Sequence, residues 1–192
     1  MKTLITLTTL LFTLNAFSLT TGSIAPDFTL QNFNLKDYKG KTVVLEWLNH
    51  GCPFVRKHYD SGNMQSLQKK YSDKGVVWAS VISSAPGKQG YVEEKEAKLE
   101  KEKYKSQASH ILLDPTGKVG ILYGAKATPH MYIINPEGKL IYQGAIDDRP
   151  DTDQKSIKGA RNFVSLALDA SLEGRPIPTP TTKAYGCSVK YP

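Results

Sequence analysis

The chain predicts an α/β fold built on a mixed sheet, and three observations carry the prediction. Two short apolar runs, residues 42–48 and 76–82, have the length and β-branched content of buried strands. Between them lies a helix-like stretch beginning at Cys52, and strand, helix, strand in that order implies a right-handed crossover joining a parallel pair at the sheet centre. Further on, the apolar run 131–134, the turn Asn135-Pro136-Glu137-Gly138 and the run 140–144 form a β-hairpin signature, which adds antiparallel strands.

Each element follows from local chemistry. Lys2, the apolar stretch 4–14 and the small residues of Ala16-Phe17-Ser18 read as a secretory signal peptide over residues 1–18, too short and too rich in threonine for a membrane span. A single domain is expected over 19–174 and a Pro-rich, extended, loosely held tail over 175–192. The turn Asp37-Tyr38-Lys39-Gly40-Lys41 leads into the first strand. The helix from Cys52 runs toward Ser72, with Ser61-Gly62-Asn63 as a point of interruption. Residues 91–104, crowded with Glu and Lys, make a solvated helix. Residues 111–117 read as a short strand and turn, and 119–124 as a helical turn stopped by glycine. Apolar positions recurring from Ser156 to Leu172 predict an amphipathic helix packed on the sheet.

The formal net charge is +7, yet no compact Lys/Arg patch interleaves with aromatics, which argues against nucleic acid as a partner. Two cysteines, Cys52 and Cys187, are too few for a disulfide scaffold and suit a redox pair in an exported protein. Cys52 is the more telling. It follows a strand and opens a helix, where unpaired backbone N–H groups and the positive end of the dipole favour thiolate over thiol. His50, Arg56, Lys57 and His58 are neighbours able to lower its pKa if the fold turns them inward. For Arg56 two placements stand: above the sulfur one turn along the helix, or in solvent together with Lys57. Asp147-Asp148-Arg149 reads as a solvated, salt-bridged turn, the other reading being a polar rim around the thiol in which a buried carboxylate relays protons.

Three stretches carry a family resemblance: Asn49-His50-Gly51-Cys52-Pro53-Phe54-Val55, Ala127-Thr128-Pro129-His130, and the tail Lys183-Ala184-Tyr185-Gly186-Cys187-Ser188-Val189-Lys190. Together they resemble the redoxin branch of thioredoxin-like proteins, the exported peroxiredoxin-like group related to alkyl hydroperoxide reductase and thiol-specific antioxidant proteins. The resemblance implies a three-layer α/β/α thioredoxin-like fold with a central mixed sheet. It assigns a cis peptide to Pro129, beside the reactive sulfur, and makes the Thr128 backbone a docking edge for a disulfide partner; on the residues alone, an ordinary trans proline at the start of a strand is the other reading. Catalytic roles fall to Cys52, Cys187, Thr128 and Pro129, and substrate contacts to Asn49, Pro53 and Arg56.

The departures matter as much. Val55 stands where a Cys-X-X-Cys motif has its second thiol, and Leu45 and Asn49 stand where a typical peroxiredoxin has proline and threonine. Cys52 is therefore expected to attack a disulfide or a hydroperoxide, with Cys187 as the resolving thiol and an external thiol reductant closing the cycle. The expected partners are a thiol or disulfide protein or a small hydroperoxide; no organic cofactor and no stable membrane insertion are implied, and the location is periplasmic. Two alternatives stand beside this. One is a permanent Cys52–Cys187 disulfide pinning the tail. The other is a copper-binding protein using Cys52 with His50, His58 or His130, although the metal-carrying relatives pair two cysteines near the first helix; no residue is assigned as a metal ligand.

Overall fold

The computed structural model describes residues 19–192, and the signal-peptide reading of residues 1–18 lies outside them. A two-strand hairpin, β1 (Thr29–Leu30) and β2 (Phe33–Asn34), precedes β3 (Val43–Trp47). Then come α1 (Pro53–Asp60), α2 (Asn63–Ser72), β4 (Val77–Ile82), α3 (Glu94–Lys103), β5 (His110–Leu113), α4 (Lys118–Tyr123) and β6 (Ala127–Thr128). The chain closes with β7 (His130–Ile134), β8 (Leu140–Gly144), α5 (Phe163–Leu172) and β9 (Cys187–Ser188).

The central sheet has the order β5-β4-β3-β7-β8, with β3 parallel to β4, β4 parallel to β5, and β7 antiparallel to both β3 and β8. Every residue of β3, β4 and β7 is buried, as expected for strands covered on both faces. Alternation along β3 sorts the core: Val44 packs with Trp78, Met131 and Ile133 against α1, α2 and α5, while Val43, Leu45 and Trp47 pack with Tyr132 and Ile134 against α4 and the N-terminal hairpin. This is the mixed sheet between two layers that the sequence predicts. Among the described residues no helix is long and apolar enough to cross a membrane.

The interruption expected at Ser61-Gly62-Asn63 is present: the stretch after Cys52 is two helices, because Gly62 adopts φ +75° between them and caps α2. Two other expectations need correcting. The last helix begins at Phe163, not Ser156: Asn162 caps it by accepting from the Ser165 N–H at 2.8 Å, and residues 154–157 form a separate 3₁₀ turn capped by Asp153. Finally, the tail is docked. Thr182 N–H donates to the Gln143 carbonyl at 3.0 Å, Ala85 N–H to the Lys190 carbonyl at 2.8 Å, and the Tyr191 hydroxyl to the Ala125 carbonyl at 2.7 Å. Its prolines supply little cohesion by themselves; backbone pairing and side-chain hydrogen bonds with the body hold it.

Candidate active site

The site begins with the loop between β3 and α1. Asn49 Oδ1 accepts from the Gly51 N–H at 2.8 Å, its Nδ2 donates to the Gln89 carbonyl at 3.1 Å, and Gln89 Nε2 returns a bond to the Gly51 carbonyl at 3.0 Å. Asn49 is thus a buried brace that turns the chain, rather than a group facing substrate. The loop delivers Cys52 as the N-cap of α1, with Pro53 at the first helical position, where its missing N–H costs nothing.

Cys52 is fully buried, and its thiol donates to the Thr128 carbonyl at 3.0 Å. The Thr128–Pro129 peptide is cis. On the far side of Thr128 lies the tail: β9 pairs antiparallel with β6, placing Cys187 directly opposite Thr128 and Ser188 opposite Ala127. That register brings the Cys187 thiol into hydrogen-bonding contact with Cys52, and both cysteines are free.

The two thiols differ in acidity. Burial pushes the Cys52 thiol up, but hydrogen bonds from the Cys187 thiol, the Val55 N–H at the helix start, the Cys187 N–H and the Thr128 hydroxyl outweigh it, leaving the pKa below the ordinary thiol value. Cys187 is pushed up to about 11, first by burial and then by its hydrogen bond to Cys52 and the charge that Cys52 acquires. Cys52 therefore takes the thiolate and Cys187 keeps its proton as donor.

None of the neighbours named from sequence produces this shift. Arg56 is solvent-exposed and pairs with Asp60 at 3.3 Å. His50 stacks on Tyr104 with ring centroids 3.9 Å apart, and burial with the nearby Lys103 charge lowers its pKa to about 4, so it is neutral. His58 is likewise neutral, lowered to about 4 chiefly by burial. Lys57, expected in solvent if Arg56 is, is instead fully buried: its ammonium donates to the Arg149 carbonyl at 2.7 Å and lies 3.3 Å from Asp151 and 3.9 Å from Asp147.

Asp147, expected in a solvated turn, is buried as well, because Lys57 supplies the opposite charge from α1. It accepts from the Tyr185 hydroxyl and from the Arg149 N–H at 3.0 Å. Asp148 fits the solvated reading, accepting from the Arg161 N–H at 3.0 Å and pairing with Arg149. A second buried carboxylate escaped the sequence reading altogether. Glu46, inside the apolar run of β3, accepts from Trp78 Nε1 at 2.8 Å, Tyr59 Oη at 2.9 Å, Gln68 Nε2 at 3.2 Å and Ser80 Oγ at 3.2 Å. Burial raises its pKa against these four donors. The signal was a lone acid in an otherwise apolar strand, a position that demands several partners.

For a metal, the four named groups do not converge. His50 is on Tyr104, His58 on Tyr185 and Asn63, and His130 on Tyr132 at 3.2 Å. Among the described residues no group of three His, Cys, Asp or Glu could hold an ion. A cleft of about 1100 Å³ opens under the tail, lined in part by Phe163, His130 and Tyr185, and neither cysteine lines it. The two cysteines meet at the β6–β9 pairing, not in that cleft.

Gly186 permits the juxtaposition. Its φ is +135°, and a β-carbon there would overlap the Thr128 carbonyl. Gly186→Ala is expected to weaken tail docking by about 1–3 kcal/mol, measured as faster limited proteolysis at Lys183 and faster alkylation of Cys187; unchanged rates would show that the close approach is dispensable.

Comparison with known proteins places these features. The family model described as Redoxin matches residues 20–160. An uncharacterized conserved protein from Geobacillus kaustophilus is similar at 30% identity, over 91% of this chain and 93% of that one, with a TM-score of 0.75. A hypothetical protein from Sinorhizobium meliloti 1021 shares the fold at 24% identity and TM-score 0.76, over 92% and 97% of the two chains. The thioredoxin domain of a thiol-disulfide oxidoreductase from Bacteroides vulgatus is 26% identical over 74% of this chain and 98% of its own, with a TM-score of 0.53. No curated protein matches. A thioredoxin-like sheet, a cysteine capping the first helix and a family match over most of the chain lead to one conclusion: this protein belongs to the Redoxin family.

Proposed function

We propose that the protein is an exported thiol oxidoreductase in which Cys52 is the nucleophile and Cys187 the resolving thiol. The observation that carries the reading is the β6–β9 register, which sets Cys187 opposite Thr128 and gives the two thiols opposite shifts in acidity. The Cys52 thiolate attacks one sulfur of a disulfide; a Cys52–S bond forms, the substrate S–S bond breaks, and one substrate thiolate leaves with the electron pair. Cys187 then gives its proton to solvent and attacks Cys52 Sγ, expelling the second thiolate. The chain is left with a Cys52–Cys187 disulfide, two electrons poorer, and an external dithiol reductant restores it.

Thr128 serves by holding the Cys52 thiol through its carbonyl and the Cys187 strand through its backbone, next to Pro129. Neither Asn49 nor Arg56 enters these steps, since one braces the loop and the other is paired in solvent. The same thiolate can open a hydroperoxide O–O bond to give a sulfenic acid, the other oxygen leaving as an alkoxide that takes a proton from solvent; Cys187 then condenses with the sulfenic acid to form the Cys52–Cys187 disulfide and release water. The disulfide reading is favoured because Asn49, at the place of the peroxide-orienting threonine, has its amide engaged elsewhere. The neighbour named as a thiol-disulfide oxidoreductase supports the same preference. Export rests on the apolar stretch 4–14.

The test is peptide mass spectrometry of the reduced protein, alkylated after one equivalent of oxidised glutathione or of hydrogen peroxide. The expected result is a Cys52–Cys187 disulfide in the wild type and, in Cys187→Ser, arrest at a Cys52 adduct or sulfenic acid. Oxidation confined to Cys187, with Cys52 inert to both reagents, would overturn the assignment.

A further inference from the structure

Tyr185 belongs to the tail, two residues before Cys187, yet its hydroxyl is bound deep in the body. Lys57, His58 and Asp147 around it are buried, and all but Asp147 sit on α1, the helix that Cys52 caps. The hydrogen bonds run in one direction. Asn63 Nδ2 lies 2.8 Å from His58 Nδ1 and can only donate, so the neutral imidazole carries its proton on Nε2. That N–H donates to the Tyr185 oxygen at 3.2 Å, and the Tyr185 hydroxyl in turn donates to Asp147 Oδ1. Lys57 balances the carboxylate and also lies under the Tyr185 ring, 5.7 Å from its centroid. Phe54, in the first turn of α1, packs against the same ring at 5.9 Å.

We infer that Tyr185 is a positioning residue, its hydroxyl latching the tail onto α1 through His58 and Asp147 and thereby setting the approach of Cys187 to Cys52. The inference rests on the proposed role of Cys187 as resolving thiol. Only Gly186 separates latch from thiol, and its positive φ turns the chain from one to the other. The helix that presents the nucleophile thus also fixes the strand that resolves it, so the two sulfurs share one frame. A hydroxyl that donates to a buried carboxylate is among the stronger hydrogen bonds available to a neutral side chain.

The test uses the full reduced protein and dithiobis(nitrobenzoate), whose two halves leave as coloured thiolates. Attack by Cys52 releases the first equivalent, and attack of Cys187 on the resulting mixed disulfide releases the second. In Tyr185→Phe the amplitude of the first phase is expected to stay at one equivalent while the second phase slows on the order of tenfold. The Cys52 thiolate titration, followed by ultraviolet absorbance, moves up as the Cys187 hydrogen bond is weakened. Asp147→Asn tests the latch from the other side, weakening the acceptor without altering the tail, and should slow the second phase as well; this serves if Tyr185→Phe does not fold. Tyr191→Phe removes a tail anchor beyond Cys187 and is expected to leave the second phase near wild type. Wild-type second phases in Tyr185→Phe or in a folded Asp147→Asn, or an equal slowing in Tyr191→Phe, would overturn the latch. Release of the second equivalent by Cys187→Ser would instead overturn the resolving role of Cys187.

Discussion

Cys52→Ser is expected to reduce disulfide exchange by about a thousandfold or more, since a serine hydroxyl does not ionise near neutrality and the thiolate is the attacking species. The fold should survive the change. Serine can still cap α1 and can donate to the Thr128 carbonyl where the thiol does, so the thermal transition should move little. Cys187→Ser is different in kind: it leaves the first bond-forming step and removes the second, so turnover stops with a modified Cys52. Single-turnover thiol release, followed with thermal unfolding of each variant, separates the two. Substantial turnover by Cys52→Ser would displace Cys52 from the centre of the chemistry, and equal, small activity losses in both variants with lowered stability would indicate a structural pair.

Acid should unfold the protein through its buried imidazoles. His50, His58 and His130 each have pKa values lowered from 6.5 to about 4, chiefly because burial disfavours the charged ring. The unfolded chain binds these protons near 6.5 and the folded chain does not until about 4, so the stabilisation is complete above 6.5 and is lost as pH falls through that window. Each shift corresponds to at most about 3 kcal/mol, which makes the combined loss several kcal/mol. Glu46 works in the opposite sense, since its raised pKa lets the folded state take up a proton more readily than the unfolded one. Glu100 is raised as Glu46 is, and His110 is lowered as the other three imidazoles are; the expected outcome is that the imidazoles set the sign. Urea unfolding above pH 6.5 and near pH 4 would measure it; a flat or rising stability toward acid would refute the argument, and His130→Gln should make the slope shallower.

What could be read from the sequence were features with local causes. The strands 43–47 and 77–82 are contiguous runs, the hairpin has a Pro/Gly turn between its strands, and Cys52 at a helix start is a matter of adjacent residues. What could not be read depends on partners far along the chain. Lys57 and Asp147 look like surface charges until α1 and the turn after β8 are placed side by side. Glu46 looks like an error in a core strand until Tyr59, Gln68, Trp78 and Ser80 close around it. The tail has the composition of a loose segment, and only Gly144 and Gly186, where β-carbons would meet Thr182 and Thr128, hint that another backbone comes close. The start of the last helix was the weakest point, since Asn162 acts through capping, which outweighs the apolar periodicity running across it.

The β6–β9 pairing makes the chain its own competitor. A tethered strand acts at an effective concentration of about a millimolar when its linker suits the span, so any extended partner seeking the Thr128 edge meets that edge already occupied. Its apparent dissociation constant is the intrinsic one divided by the fraction of time the tail is away. On the proposed disulfide chemistry, a small disulfide would need only a brief lifting of the strand to reach the sulfur, whereas a protein substrate docking on the edge would need it vacated for as long as it stays. Selection between small and large substrates can therefore arise from the strength of tail docking alone, without any side chain that recognises either.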